Sequence, residues 1–241
     1  FIESIIKTIN FDETKPLFIT SFYDFEIFYY ADRQTGTKLY FSRNENKEIN
    51  FIKNKINNNC WFVDIGSNIG LYSLNISNIN SKYRTVKTLS IEPNPIIYQR
   101  LKTNFKLLES RNKFVKNNFI LCNYAIGNNE SFGEIDKTID HANVKIINKK
   151  KSEAEDNYIK IKIKKLSSLL KKYNVKNISC IKIDTEGYEY KILKDFLKKI
   201  NLKYFPKYFI IEHNNDKNYY KNESMILKNN YEIIFTTNSN T

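Results

Sequence analysis

An acidic residue followed by a glycine-containing loop is the first feature of the chain that could do chemistry. The run Val-Asp-Ile-Gly-Ser-Asn-Ile-Gly places Asp64 at the end of an apolar segment, with Gly66 and Gly70 after it. This G-x-x-x-G spacing differs from the G-x-G-x-x-G of dinucleotide sites, which favours a ligand with an ammonium group and no phosphate. We expect Asp64 to receive that ammonium through a water or a loop amide. Ser67 and Asn68 are expected to cap the next helix and to leave backbone amides for a carboxylate.

A second acid, Glu92, ends the next apolar segment, about twenty positions after Gly70. At that distance a carboxylate can accept hydrogen bonds from both hydroxyls of a ribose. Pro93 follows in the same turn and is assigned to the same site. The third segment ends at Asn123, whose amide is expected to pair with adenine, and at Ala125, which leaves room for the ring. An ammonium site beside a ribose acid describes S-adenosylmethionine.

A third group of polar residues closes the segment 178–184. Side chains alternate along a strand, so Lys182 and Asp184 share a face. Asp184 is expected to be the general base or the anchor of a hydroxyl substrate, and Glu186 is the second candidate, because a base within hydrogen-bond reach accelerates attack by a hydroxyl. His213, one of two histidines in the chain, is the third candidate catalytic residue because its unperturbed pKa is close to neutral.

The acids of this region also allow another chemistry. Asp184, Glu186 and Glu212 offer the hard carboxylate oxygens that Mg²⁺ prefers, so a divalent cation stays open as a cofactor. Their spacing does not establish a metal site, and no residue is assigned as a metal ligand. Acids beside a sulfonium have a simpler purpose, which is to stabilise a cationic donor. Glu189 is expected to satisfy Lys182 or a helix N-terminus rather than to touch a substrate.

The elements that must position these residues alternate along the chain. Short apolar segments with polar ends predict strands at 61–65, 86–92, 119–125, 178–184 and 208–213. Helical spacing predicts helices at 46–56, 69–79, 95–108, 167–173, 188–199 and 217–229. The alternation predicts an α/β fold with a mostly parallel, doubly wound, Rossmann-like sheet. Ligands of such a sheet bind beyond the carboxyl ends of its strands.

Two segments stand outside this alternation. Residues 1–45 are expected to form an N-terminal extension that is not an independent domain, with strands at 26–30 and 37–41 joined by a turn. Residues 46–241 then form the ligand-binding domain. Its insertion at about 133–162 is expected to contain a hairpin and a solvated lysine-rich loop. We expect the acceptor pocket to be built from the extension and the insertion.

Four motifs follow one another in a fixed order. They are Asp-Ile-Gly-Ser-Asn-Ile-Gly at 64–70, Glu-Pro-Asn-Pro at 92–95, Ala-Ile-Gly at 125–127 and Lys-Ile-Asp-Thr-Glu-Gly-Tyr-Glu at 182–189. With these motifs, most of residues 48–212 resembles the FkbM family of S-adenosylmethionine-dependent methyltransferases. The resemblance implies a class I methyltransferase fold. It also implies methyl transfer to a hydroxyl, typically of a sugar, a glycoconjugate or a polyketide.

The chain departs from the family pattern at two places. The family usually has Thr-Leu-Asp before the fourth strand, whereas Lys165, Leu166 and Ser167 stand here, so any role of that aspartate is lost. The chain also stops soon after residues 231–235, where the fold normally adds a last antiparallel strand. We expect either that the chain is truncated, as a domain cut from a longer protein would be, or that the edge of the sheet is incomplete.

The charge of the chain suggests a different class of function. A net charge of +13 would attract nucleic acid, and a basic nucleic-acid-binding or nucleic-acid-methylating protein is the alternative reading. The excess is mostly Lys, whereas Arg is the residue that phosphate recognition favours. No Asp-Pro-Pro-Tyr motif of amino-methylating enzymes follows the fourth strand. Nucleic acid is therefore not the expected partner, and a donor-binding domain without turnover is the remaining rival.

Composition limits the setting in which the protein works. Three cysteines without a Cys-x-x-Cys pair predict neither a disulfide framework nor structural zinc. Apolar runs are too short to cross a bilayer, and Phe1 to Ser4 lack the basic start of a secretory signal. We expect a cytoplasmic protein in a reducing compartment.

Overall fold

The computed structural model describes residues 16, 18–22, 24–30, 46–136, 146–147, 158–199, 201–212 and 219–236. The strands are β1 (Phe18–Phe22), β2 (Phe25–Tyr29), β3 (Cys60–Ile65), β4 (Val86–Ile91), β5 (Phe119–Cys122), β6 (Ala125–Ile126), β7 (Ser131–Asp136), β8 (Ile146–Ile147), β9 (Tyr158–Lys164), β10 (Ile178–Ile183) and β11 (Tyr208–Ile211). The α-helices are α1 (Asn46–Lys55), α2 (Leu71–Asn78), α3 (Pro95–Arg111), α4 (Leu166–Lys172), α5 (Glu189–Lys199) and α6 (Tyr219–Lys228). No described helix is long and apolar enough to cross a membrane.

Five parallel strands form the central sheet, in the order β11-β10-β3-β4-β5. Every residue of β10 is buried, which is the pattern of a strand covered by helices on both faces. Parallel strands joined by helices all end at one edge of the sheet. The expected α/β fold with a mostly parallel sheet is confirmed, and the five predicted strands and six predicted helices lie within a few residues of the observed ones.

The predicted strand 119–125 is divided in two. β5 pairs with β4 only as far as Cys122, because β4 itself ends at Ile91 and the chain then turns towards Pro95. Beyond Asn123 the chain continues as β6, which pairs with β9 in a second sheet. The predicted strand therefore contributes to two sheets, and the chain changes from one to the other at Asn123.

The second sheet has the order β6-β9-β7-β8 and contains the observed part of the insertion. β7 and β9 are antiparallel over six residue pairs, and Ile135, Ile161 and Ile163 form a small buried cluster with Ala125. The alternation of Lys and Ile along β9 places its isoleucines on that buried face. The predicted lysine-rich loop around 149–151 lies outside the described residues.

The described part of the N-terminal extension contains one pair of strands. β2 coincides with the predicted strand 26–30, but its antiparallel partner is β1, which precedes it in the chain. The sequence interpretation assigned no strand to β1. The other predicted strand, 37–41, lies outside the described residues.

The start of α2 depends on a glycine. Gly70 is the N-cap of the helix, with φ at 100°, and its backbone has no room for a side chain: an added Cβ would lie 2.7 Å from Leu101 Cδ1. Leu101 is fully buried in the cluster between α3 and the central sheet. Gly70 therefore serves both the left-handed turn and the close approach of α3.

We expect Gly70→Ala to lower the free energy of unfolding by about 1 to 3 kcal/mol, because the left-handed conformation and the overlap with Leu101 both oppose a Cβ. Urea unfolding measures this change. Asn117→Ala is the control, since Asn117 is exposed and left-handed, with φ at 63°. Equal losses in the two variants would show that crowding against Leu101 contributes nothing.

Candidate functional site

The carboxyl edge of the central sheet gathers five of the polar residues singled out by the sequence. Asp64 belongs to the end of β3, Glu92 follows β4, Asn123 follows β5, Asp184 follows β10 and Glu212 follows β11. Their order across the sheet is Glu212, Asp184, Asp64, Glu92 and Asn123, as the strand order dictates. Asn123 and Glu92 therefore lie towards one side of this edge, and Asp184 and Glu212 towards the other.

Glu92 is held by two backbone amides. Its Oε2 accepts a hydrogen bond from Asn68 N at 2.9 Å, and its Oε1 accepts one from Asn94 N at 2.9 Å. Each carboxylate oxygen keeps a second lone pair for a ligand hydroxyl. Burial raises the pKa of Glu92 to about 7, although the two amides act in the opposite direction. Glu92 is therefore a buried carboxyl group that titrates close to neutral pH.

The loop after β3 uses its backbone amides differently from the expectation. Gly66 N and Ser67 N both donate to Ile91 O, and Asn68 N donates to Glu92. Ile69 N donates to Asn68 Oδ1 at 2.7 Å, and Gly70 N donates to Ser67 O. The expectation that Ser67 and Asn68 cap α2 and leave amides for a ligand is wrong, because the helix begins at Gly70 without a side-chain cap and the loop amides bond within the protein.

Gly66 brings the two halves of the site into contact. Its φ is 76°, and an added Cβ would overlap the carbonyl oxygen of Asp184. The backbone also runs in register here, since Asp184 N donates to Ile65 O at 3.0 Å. Gly66 is thus needed for packing between two strand ends.

Asp64 lies beneath this loop and is almost fully buried. Its Oδ2 accepts from Ser73 Oγ at 2.6 Å, and Ser90 Oγ in turn donates to Ser73 Oγ at 2.7 Å. Asp64 Oδ1 lies 3.9 Å from Lys182 Nζ and has no hydrogen-bond partner among the described residues. Burial raises the pKa of Asp64, against the opposing effect of the Lys182 ammonium.

Lys182 joins Asp64 to the other half of the site. Its Nζ donates to Asp184 Oδ2 at 2.8 Å and lies 4.8 Å from the centre of the Tyr72 ring. Burial lowers the pKa of Lys182, but the Asp184 and Asp64 carboxylates outweigh it and hold that pKa above the ordinary value. Lys182 is therefore a buried ammonium between two acids.

Asp184 and Glu212 form a second pair. They share a hydrogen bond, and burial together with that bond and the Asp184 charge raises the pKa of Glu212 to about 9. The two carboxyl groups therefore retain a proton more readily than isolated acids do, because burial and the neighbouring negative charge both disfavour ionisation of the pair. The ligand oxygens of Asp184, Glu186 and Glu212 lie within 4.8 Å of one another. Asp184 remains partly open to solvent, with 29% of its side chain exposed.

Glu189 fixes the turn that carries Glu186. Its Oε1 accepts from Thr185 N at 2.8 Å, from Thr185 Oγ1 at 2.9 Å and from Gly187 N at 3.1 Å. Glu186 itself has a left-handed backbone, with φ at 52°, which is uncommon for a residue with a side chain. Glu189 is buried and opens α5, so the acid serves the turn before a helix N-terminus rather than Lys182.

Because one oxygen of Glu189 accepts all three bonds, glutamine can replace it in part. We expect Glu189→Ala to lower the free energy of unfolding by about 2 to 4 kcal/mol, since it leaves two backbone amides and a hydroxyl without their partner. Glu189→Gln should cost roughly half as much, because its Oε1 can still accept. Urea unfolding of both variants tests this, and equal losses would contradict the role of that oxygen.

Several residues of the site have other surroundings than the sequence suggested. Asn123 Nδ2 donates to Glu92 O at 2.8 Å and to Pro93 O at 2.9 Å, so only Oδ1 is left for an adenine amino group. Ala125 is buried in the second sheet. His213 lies outside the described residues. Ser73 escaped notice in the sequence, because a serine inside a helix carries no signal of a bond to the strand before it.

A comparison of the sequence with models of protein families identifies the family of the chain. The model of the methyltransferase FkbM domain matches residues 64–233, which is most of the chain. The chain belongs to the FkbM methyltransferase family. The family uses S-adenosylmethionine, and the fold of this member is of the class I type. No curated protein matched the chain at a significant level.

Solved structures that resemble this FkbM-family chain share little sequence with it. The FkbM methyltransferase of Methylobacillus flagellatus KT is 14% identical over 80% of this chain and 43% of its own, with a TM-score of 0.36. The precorrin-6y C5,15-methyltransferase of Geobacter metallireducens GS-15 is 13% identical over 78% of this chain and 71% of its own, with a TM-score of 0.43. The aTrm5 chain in its complex with tRNALeu is 23% identical over 44% of this chain and 27% of its own, with a TM-score of 0.32. The chain thus spans about a quarter of aTrm5.

Proposed function

We propose that this protein transfers the methyl group of S-adenosylmethionine to a hydroxyl of a sugar or glycoconjugate. The observation that carries the proposal is the pairing of a partly exposed carboxylate, Asp184, with the loop that follows β3. Gly66 touches the Asp184 carbonyl, so an acceptor group near Asp184 lies next to any ligand of that loop.

The side of the sheet edge formed by Asp64, Ser67, Glu92 and Asn123, which we call the donor half, has groups that fit the nucleoside. Glu92 keeps lone pairs for two ribose hydroxyls, and Asn123 Oδ1 can accept from an adenine amino group. Ser67 Oγ and Asp64 Oδ1 are buried without hydrogen-bond partners among the described residues, and polar atoms of that kind usually have one. When bound, S-adenosylmethionine supplies an electrophilic methyl group on a positively charged sulfur, and the nearby acids favour that charge.

The acceptor half, which is Asp184 with Lys182, Glu186 and Glu212, has the groups needed to receive a hydroxyl. Lys182 donates to Asp184, and Asp184 also shares a hydrogen bond with Glu212, so its carboxylate is held from two sides. Such a carboxylate can accept the hydrogen bond of an incoming hydroxyl, align its oxygen for in-line attack and take its proton. Glu186, in its left-handed turn beside Asp184, is the second candidate for this role. The inserted sheet and the N-terminal extension remain our candidates for the walls of the acceptor pocket.

A divalent cation among Asp184, Glu186 and Glu212 is the alternative to a proton retained by the Asp184 and Glu212 pair. Three carboxylates with oxygens within 4.8 Å could contribute to a magnesium site. Turnover measured with and without a chelator distinguishes the two, since a reaction that relies on the proton continues in its presence.

Two measurements in sequence test the proposal. Calorimetry with S-adenosylhomocysteine shows whether the donor half binds the nucleoside, and the absence of heat would overturn the donor assignment. Labelled donor is then incubated with a panel of sugars and glycans, with tRNA and DNA as comparators, and products are identified by mass spectrometry. Label on a sugar oxygen supports the proposal. Label on nucleic acid, or donor binding without transfer to any glycan, would contradict it.

A further inference from the structure

The hairpin β1–β2 lies outside residues 64–233, which match the family model. It nevertheless packs on the same helix as the loop after β3, residues 66–70, which we call the donor loop. Ile27 and Phe25 of β2 are buried in a cluster with Leu101 and Phe105 of α3. Ile69, from the loop after β3, belongs to that cluster as well. The hairpin and the donor loop therefore share one apolar contact surface on α3.

Asn104 of α3 connects the same two segments by hydrogen bonds. It is fully buried, and its Oδ1 accepts from Phe28 N of the hairpin at 3.0 Å. Its Nδ2 donates to Ile69 O of the donor loop at 3.0 Å. One side-chain amide thus fixes the position of a strand and of a loop whose residues lie far apart in the sequence.

The path continues from Ile69 to the ribose acid. Asn68, the preceding residue, is left-handed with φ at 51°, and its amide donates to Glu92 Oε2 at 2.9 Å. Ile69 is also bonded to the Asn68 side chain, since Ile69 N donates to Asn68 Oδ1 at 2.7 Å, so the two residues hold their positions in the turn together. The contacts run without interruption from Phe28 through Asn104, Ile69 and Asn68 to Glu92.

We infer that Asn104 is a positioning residue that makes the N-terminal hairpin part of the donor site. The inference rests on the proposed donor site. Docking of the hairpin and binding of the nucleoside then stabilise each other, because coupling between two events is reciprocal. The hairpin has other anchors, namely the buried Phe25 and Ile27 and the Tyr30 ring 4.6 Å from the Arg100 guanidinium, whereas Asn104 also donates a hydrogen bond to the donor loop.

Calorimetry with S-adenosylhomocysteine gives the first test. Asn104→Ala should bind about three- to tenfold more weakly than the unchanged chain, the effect of one or two neutral hydrogen bonds. The matched control is Asn112→Ala. Asn112 lies at the end of the same helix and donates to Asn78 O and Asn80 O, away from the donor loop. Its variant should bind within about twofold of the unchanged chain.

A second pair of variants removes one end of the path without touching α3. Phe28→Pro and Phe28→Ala both lose the aromatic ring. Only proline also removes the backbone N–H that donates a hydrogen bond to Asn104 Oδ1. The Phe28 amide donates to Asn104 and not to β1, so proline at this position removes no hydrogen bond of the β1–β2 ladder. Only Phe28→Pro should reproduce the loss of affinity of Asn104→Ala.

Hydrogen exchange supplies a readout that a purely structural role would not change. S-adenosylhomocysteine should slow amide exchange in residues 25–30 of the unchanged chain and of Asn112→Ala, but not of Asn104→Ala. Equal affinity in both asparagine variants, or no ligand effect on these amides in the unchanged chain, would overturn the inference and leave the donor site standing. No binding by the unchanged chain would overturn both together.

Discussion

Asp184→Asn is expected to bind S-adenosylhomocysteine within about threefold of the unchanged protein and to transfer methyl groups about 10² to 10⁴ times more slowly. Asparagine keeps the size of the side chain and an oxygen for Lys182 Nζ, which donates to Asp184 at 2.8 Å. It has no negative charge to orient a hydroxyl or to take its proton. Glu92 and Asn123, the residues proposed to contact the nucleoside, lie on the other side of the sheet edge and are unchanged.

The measurement combines calorimetry with transfer of labelled methyl to the acceptor found in the glycan panel. Asp195→Asn is the control, because this carboxylate on α5 is also removed without change of size. Transfer by Asp184→Asn at the rate of the control would remove Asp184 from the reaction. In that case Glu186→Gln becomes the variant to measure, since Glu186 is the second acid of the turn.

The second large effect concerns the protonation of Glu92. Burial raises the pKa of Glu92 to about 7, above its usual value of 4.5. Only the ionised form offers acceptors for both ribose hydroxyls, so nucleoside binding requires loss of the proton. Affinity should therefore fall by up to about tenfold for each pH unit below 7 and level off above it. Binding near neutral pH should release a proton into the buffer.

A neutral nucleoside makes this test clean. Methylthioadenosine has no group that titrates between roughly pH 5 and pH 9, so any pH dependence belongs to the protein. Calorimetry in two buffers of different ionisation enthalpy measures the released proton. Glu92→Gln should bind about 10- to 100-fold more weakly and lose the pH dependence, because it loses a charged acceptor. Glu232→Gln, at an exposed acid, is the control. A pH profile that persists in Glu92→Gln would assign the titration to Asp64 instead.

The sequence was a good guide to where the polar residues lie. Apolar segments that end in Asp64, Glu92 and Asp184 predict parallel strands, and parallel strands bring their ends to one edge of a sheet. This inference needs only the strand pattern and the alternation with helices. The face shared by Lys182 and Asp184 follows from strand geometry in the same way, and their contact is observed.

The details of the loops were beyond such reasoning. The bonding of a loop amide depends on the backbone angles of its neighbours. Asn68 and Glu186 both adopt left-handed angles, and this conformation is favoured by asparagine but not by glutamate, so Glu186 gave no sign of it. Ser67 and Asn68 have the chemistry of helix caps, but the glycine at 70 begins the helix instead. The strand β1, which pairs with β2, was not predicted at all.

The contact between Gly66 and Asp184 restricts how the chemistry of this protein can be altered. Less than the width of a methyl group separates the two backbones, so neither can be displaced alone. Moving the Asp184 strand end to admit a new acceptor would therefore disturb the proposed nucleoside site as well. Changes of acceptor selectivity are better sought on β7 and β9, because their exposed residues can be substituted without altering the contact between Gly66 and Asp184.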